Sequence, residues 1–141
     1  MSIDYSNVKA MSDHIGNIVK ITDASGMVLW KQAPSEATVT IKGYGGFCHV
    51  TIDGKMYVQS TTLTVPIGTT IRCYLKVMDE DKDDMDCYIA INGKTVATPD
   101  QYHHGMGSPY YYTEYYYTVN GNVEILLEDG YYEIYISITE Q

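Results

Sequence analysis

Proline is scarce in this chain, four residues in 141, and tryptophan and phenylalanine occur once each. Cations are also few: nine Lys and Arg stand against 18 Asp and Glu, for a formal charge of −9. A sequence-independent grip on a phosphate backbone or an anionic membrane comes from clustered Lys and Arg, so neither nucleic acid nor membrane insertion is expected. Cys48, Cys73 and Cys87 are odd in number and contain no C-x-x-C pair. They write neither a disulfide framework nor a zinc knuckle, and reduced thiols are expected. No apolar run approaches the roughly 18 residues of a membrane span, and Asp4, Lys9 and Asp13 interrupt the opening, so an export leader is not expected and a soluble protein is.

What is present is ordinary globular material, 45% hydrophobic and 19% charged, with 12 Gly and an unusual 15 Tyr. The length suits one domain or two very small ones, and a chain of this size buries roughly two-thirds of its unfolded surface.

The opening segment carries Tyr5, Val8, Met11 and Ile15 at spacings of three to four, between a capping Asp4 and a stopping Gly16. The pattern predicts a short helix that must lay this stripe on something else. Residues 17–31, NIVKITDASGMVLWK, predict a β-hairpin around a loop at 23–26, and Pro34 marks a joint. The chain therefore divides into 1–33 and 34–141.

From Ala37 onward the apolar period is two. It runs through Ala37/Val39/Ile41, Cys48/Val50/Ile52, Ile71/Cys73/Leu75/Val77, Cys87/Ile89/Ile91, Val123/Ile125/Leu127 and Tyr132/Ile134/Ile136/Ile138. Such alternation is the mark of half-buried strands. Asp53-Gly54, Asn92-Gly93, Asn120-Gly121 and Asp129-Gly130 punctuate them as candidate tight turns with short antiparallel connections. The fold expected is all-β: an immunoglobulin-like antiparallel β-sandwich preceded by a short N-terminal helix and a β-hairpin, with a small open barrel as the alternative. A weak duplication relates HVTIDGKMYVQS at 49–60 to YIAINGKTVATP at 88–99, and residues 62–75 to 116–127. The second copy carries a Tyr- and His-rich insertion at about 101–115, and departures from a rigid scaffold are where function tends to sit.

Candidate chemistry is thin. Cys48 and His49 are strand neighbours and point to opposite faces, and all three thiols fall on inward positions. No G-x-S-x-G nucleophile turn is present. Asp79, Asp81 and Asp83 occupy positions 1, 3 and 5 of a calcium-loop count, but position six is Asp84 rather than Gly and position twelve is Ala90 rather than Glu, so residues 79–86 read as a solvated turn. His103, His104 and Met106 lack a second ligand pair, and no metal is expected. Glu124, Glu128 and Glu133 alternate outward rather than facing one another across a cleft, as glycoside cleavage requires. No catalytic residue and no cofactor is assigned. The tyrosines say more: nine of the 15 lie at 110–112, 115–117, 131–132 and 135. Adjacent Tyr on a strand place rings on both faces, so some face outward as contact surface, unless they mainly cover each other as cross-strand pairs. Tyr102, His103, His104, Tyr110, Tyr111, Tyr112, Tyr115 and Tyr116 are the candidate binding residues.

The opening DYSNVKAMSDHIGNIVKITDASGMVLWK resembles the N-terminal module of small structural proteins of tailed phages and prophages of Gram-positive bacteria. There a short helix leads into a KITDxSGxVLW hairpin. APSEATVTIKG, VTIDGKMY, TTLTVPIGT, AINGKTVA, YYYTVNGNVEI and IYISITEQ resemble the Ig-like or PEGA-like β modules that follow it. The acidic loop and the Tyr/His insertion depart from that pattern. The resemblance implies a non-enzymatic virion protein, assembled in the bacterial cytoplasm, in a head-decoration or tail or baseplate role. Its partners would be other virion proteins or further copies of itself. In that arrangement Tyr5, Val8, Met11, Ile15 and Trp30 form a docking segment. The alternative function is an adhesin whose Tyr-rich loop holds a host-surface glycan.

Overall fold

The computed structural model describes residues 9–12, 18–22, 28–31, 35–105 and 107–141. The chain divides into two compact units, Met1–Ser35 and Glu36–Gln141.

The first unit is a three-stranded antiparallel sheet of β1 (Lys9–Ser12), β2 (Ile18–Thr22) and β3 (Val28–Lys31), with β2 in the middle. Met11 pairs with Lys20 and Trp30 with Ile21. The helix expected at the N-terminus is therefore corrected over Lys9–Ser12, which is strand. A three-turn helix is marginal alone. Pairing with a ready-made β2 instead satisfies the backbone donors and acceptors of both segments. The rest of that stretch, with Tyr5, Val8 and Ile15, and the hairpin loop at 23–26 lie outside the described residues.

The second unit is two packed sheets. Its strands are β4 (Glu36–Tyr44), β5 (Cys48–Ile52), β6 (Lys55–Tyr57), β7 (Gln59–Pro66), β8 (Thr70–Met78), β9 (Asp86–Ile91), β10 (Lys94–Ala97), β11 (Gln101–His103), β12 (Tyr110–Thr118), β13 (Val123–Asp129) and β14 (Glu133–Glu140). One sheet has the order β10-β9-β14-β13-β4-β7 and the other β11-β12-β8-β5-β6. The acidic segment after β8 forms a 3-10 turn at Asp79–Asp81.

The duplication seen in the sequence has a structural counterpart. The β5–β6 and β9–β10 hairpins turn through Asp53 (φ 54°) with Gly54 (φ 79°), and Asn92 (φ 51°) with Gly93 (φ 82°). Two successive positive φ values match the strand twist, which is why Asx-Gly stands at both places. Likewise β4 pairs antiparallel with β7, and β8 with β12. In each copy the hairpin lies in the opposite sheet from the pair that flanks it in sequence, so the copies interlock. At the crossings between sheets the two connections meet: Gly68 N–H donates to Val119 O at 2.8 Å, and Val119 N–H to Thr69 O at 2.9 Å.

β14 breaks this symmetry by lying between β13, to which it is antiparallel, and β9, to which it is parallel; β13 in turn runs parallel to β4. The expectation of purely antiparallel sheets is corrected at these two ladders. Parallel neighbours are joined by no hairpin, so no turn signal announces them. Asn120-Gly121 likewise sits at a crossing from one sheet to the other rather than in a hairpin. Where β4 runs beside β13, Gly43 has φ 92° and a side-chain carbon there would lie 2.1 Å from Leu127 O. Glycine is required at that point.

The core lies between the sheets. Val39, Ile41, Ile89, Ile125, Leu127, Ile134, Ile136 and Ile138 from one meet Val50, Ile71, Cys73, Leu75 and Val77 from the other, all at 0–1% exposure. Burial of each such side chain stabilises by about 1.5–3 kcal/mol. The Cys48 and Cys73 thiols are pushed up to about 12, chiefly by burial. Cys87 departs from the interior reading: it has inward parity but is only half-buried, where it lines a cavity of about 420 Å³ with Lys82, Met85 and Pro99.

Two outcomes follow from this packing. Ile136→Ala should lower unfolding stability by about 2–5 kcal/mol, read from urea denaturation, because the cavity opens in the centre of the sandwich. In native protein, alkylation should reach Cys87 first, more slowly than a free thiol because burial raises its pKa too, and faster as pH rises. Cys48 and Cys73 should react only on unfolding, as read by mass spectrometry of the labelled peptides.

Candidate functional site

β12 has the sequence YYYTEYYYT, and its register against β8 decides what each ring does. Tyr111, Thr113, Tyr115 and Tyr117 share the side of the buried Val77, Leu75, Cys73 and Ile71. Tyr110, Tyr112, Glu114 and Tyr116 share the other side with Met78, Lys76, Tyr74 and Arg72. Two elements extend this outer face. β11 places His103 opposite Tyr110, and β5 places His49 opposite Tyr74.

The rings on the outer face form a ladder across four strands. His103 stacks on Tyr110 (centroids 4.7 Å, 25°), Tyr110 tilts against Tyr112 (6.0 Å), Tyr112 stacks on Tyr74 (6.0 Å, 27°) and Tyr74 on His49 (5.0 Å, 25°). Each such pair is worth about 0.5–1.5 kcal/mol beyond its buried area. Tyr74 therefore stacks on two rings, one from each neighbouring strand.

Cations are set into the ladder. Lys76 Nζ lies 5.0 Å from the Tyr110 ring centre and 5.4 Å from that of Phe47, and Arg72 Cζ lies 5.4 Å from that of Tyr74. Arg72 Nη2 donates to Glu114 Oε1 at 2.5 Å, and Tyr116 OH donates to Glu114 Oε2 at 3.2 Å. These bonds, led by that from Arg72, hold the Glu114 carboxyl below its usual range. Burial, followed by the Arg72 charge, lowers His49, whose Nε2 is buried without a hydrogen-bond partner. Burial and the neighbouring Tyr110 push the Tyr74 phenol up to about 12.

The eight binding residues read from the sequence thus separate. His103, Tyr110, Tyr112 and Tyr116 lie on the ladder face. Tyr111 and Tyr115 pack against the core. Tyr102, the register partner of Tyr111, meets that ring at 4.9 Å and stacks on His104 at 6.0 Å, forming a second small cluster with Lys82 Nζ 4.9 Å from the Tyr111 ring centre. Of the docking residues, Met11 is on β1 and Trp30 on β3. Sequence reasoning missed Arg72, Tyr74 and Lys76. Their alternation with Ile71, Cys73, Leu75 and Val77 is the signal that could have found them, since it marks one face of β8 as outward before any partner strand is known. Among the described residues no three His, Cys, Asp or Glu side chains converge as a metal site, and no helix is long and apolar enough to cross a membrane.

The His49 environment sets a pH dependence with a definite sign. Its folded pKa lies below the ordinary 6.5, so the unfolded chain binds the proton more readily and stability falls as pH drops through 6.5 toward the folded value. Glu114, also lowered, adds a further loss only below its ordinary 4.5. His49→Phe should flatten the decline in denaturation midpoint between pH 7 and 5 and leave the acid limb in place.

Comparison with known protein families, with curated proteins and with solved structures gives no match.

Proposed function

We propose that this chain is a non-enzymatic, virion-associated accessory protein that acts through protein–protein contacts of its sandwich. The observation that carries the reading is the outer face of the five-stranded sheet, where stacked Tyr and His rings are interleaved with Arg72 and Lys76 on a regular sheet surface rather than around a cleft. Rigid rings with polar tips give contact area at small entropic cost, which suits recognition. The KITDASGMVLW segment supports the virion assignment through its resemblance to phage structural modules. We read the sandwich as an immunoglobulin-like module whose chain crosses between sheets at β7–β8 and β12–β13. The Met1–Ser35 unit then supplies the docking segment.

Tyr116 on the ladder face and Tyr102 in the separate cluster, exposed by 60% and 45%, favour a second reading in which one of these open ring surfaces holds a host-surface glycan.

Residues 36–141 contain the whole described core, so a 36–141 fragment should unfold cooperatively and remain in solution. Full-length chain should co-purify with phage particles from an induced lysogen, assembled in the cytoplasm, and the fragment should not. Recovery of the full chain only from the particle-free lysate would sink the virion reading. Saturable binding to cell-wall glycan that is lost in Tyr102→Ala and Tyr116→Ala would establish the second reading instead.

A further inference from the structure

The two outer faces of the 36–141 unit differ in charge. On the five-stranded sheet the outward positions of β8 and β12 carry Arg72 and Lys76 against one carboxylate, Glu114, which Arg72 already pairs. Lys76 makes no ion pair among the described residues and rests on two rings. His49 and His103 add no negative charge.

On the six-stranded sheet the outward positions carry Glu36, Asp86, Glu124, Glu128 and Glu133 against one cation, Lys42, which pairs Glu124 at 3.2 Å. In the middle of this acidic face Tyr88 and Tyr135 stack at 5.1 Å and 4°. Their neighbours Asp86, Glu128 and Glu133, after burial itself, push the two phenols up. Each face is therefore an aromatic patch on a regular sheet, one basic and one acidic, in a protein whose net charge would otherwise keep copies apart.

We propose that these faces bind each other between copies, so that the basic ladder of one molecule seats on the acidic Tyr88/Tyr135 face of the next. The occupant of each face is a second copy of this chain because one surface carries the charge that the other lacks. The contact is heterologous: the surface used by one copy differs from that used by its neighbour, so it propagates into a ring or filament rather than closing as a twofold dimer. The four ladder strands, of three, nine, nine and five residues at about 3.4 Å per residue and about 4.8 Å apart, offer on the order of 400 Å² a side. That is the size of a weak interface, and association that strengthens with concentration is the expected behaviour. The proposal deepens the protein-contact reading by naming the partner and rests on it for that alone.

Sedimentation velocity of the full chain tests this. At low ionic strength the weight-average mass should rise above 15.9 kDa with concentration. It should return toward the monomer in about 1 M salt, where the Debye length is about 3 Å. Lys76→Glu should raise the concentration needed for assembly about tenfold, and so should Glu128→Lys with Glu133→Lys. Combining all three reversals should restore assembly, because the charges beside Tyr88 and Tyr135, by then two lysines against Asp86, again oppose the charge introduced at position 76. Circular dichroism checks that each variant is folded. A monomer at every concentration overturns the proposal. So does assembly indifferent to both reversals, which would place the contact elsewhere, such as on the uncharged edge strand β7. Variants that are monomeric yet still enter phage particles leave the virion reading standing, whereas self-association in a chain that never enters particles sinks that reading alone.

Discussion

The alternation of side chains along a paired strand is the constraint on which everything else in the 36–141 unit depends. Because successive residues point to opposite faces, one register between β8 and β12 puts Ile71, Cys73, Leu75 and Val77 into the core and Arg72, Tyr74 and Lys76 outside it. A slip of one residue would exchange the two sets. The core and the aromatic ladder are two consequences of one pairing, and neither changes without the other. The same rule turns YYYTEYYYT, which looks like a block of undifferentiated aromatics, into an inner row that seals the sandwich and an outer row that stacks in the open.

The interlocked repeats explain how eleven strands close over one core. Two hairpins with matching Asx-Gly turns exchange sheets, and the crossings hydrogen-bond to each other through Gly68, Thr69 and Val119. β14 then enters the six-stranded sheet and widens it. Its inward Ile134, Ile136 and Ile138 are fully buried, while its outward Glu133 and Tyr135 build the acidic face. The strand that departs from the repeat thus makes the two sheets unequal, and with them the two surfaces.

On the ladder, covered ring faces decide between modes of recognition. A sugar ring needs an open aromatic face, and Tyr74 is stacked on both His49 and Tyr112. The central rings are interleaved with the cations Arg72 and Lys76, which supports the protein contact proposed above. Tyr116 on this face, and Tyr102 in the separate cluster, retain open area.

The inward positions of the strands, the two Asx-Gly hairpins and the all-β class were legible in the linear order of residues, because period-two alternation and positive-φ turns are local properties. The three strands of Met1–Ser35 were legible only in part, since Lys9–Ser12 has helical spacing and becomes strand through its pairing with Ile18–Thr22. Of the candidate site, Tyr110, Tyr112, Tyr116 and His103 could be named from their local enrichment, but their partners could not. His49 on β5 and Tyr74 on β8 lie far away in the chain and join the ladder through strand pairing alone. The parallel neighbours β13–β4 and β14–β9 are of the same kind, as is the separation of charge between the two outer faces. The amino-acid order determined which side of each strand is buried, since parity is carried by adjacent residues. Tertiary structure decided which strands stand side by side, because pairing across long stretches of chain is set by the joint burial of many apolar side chains and leaves no mark on any one segment.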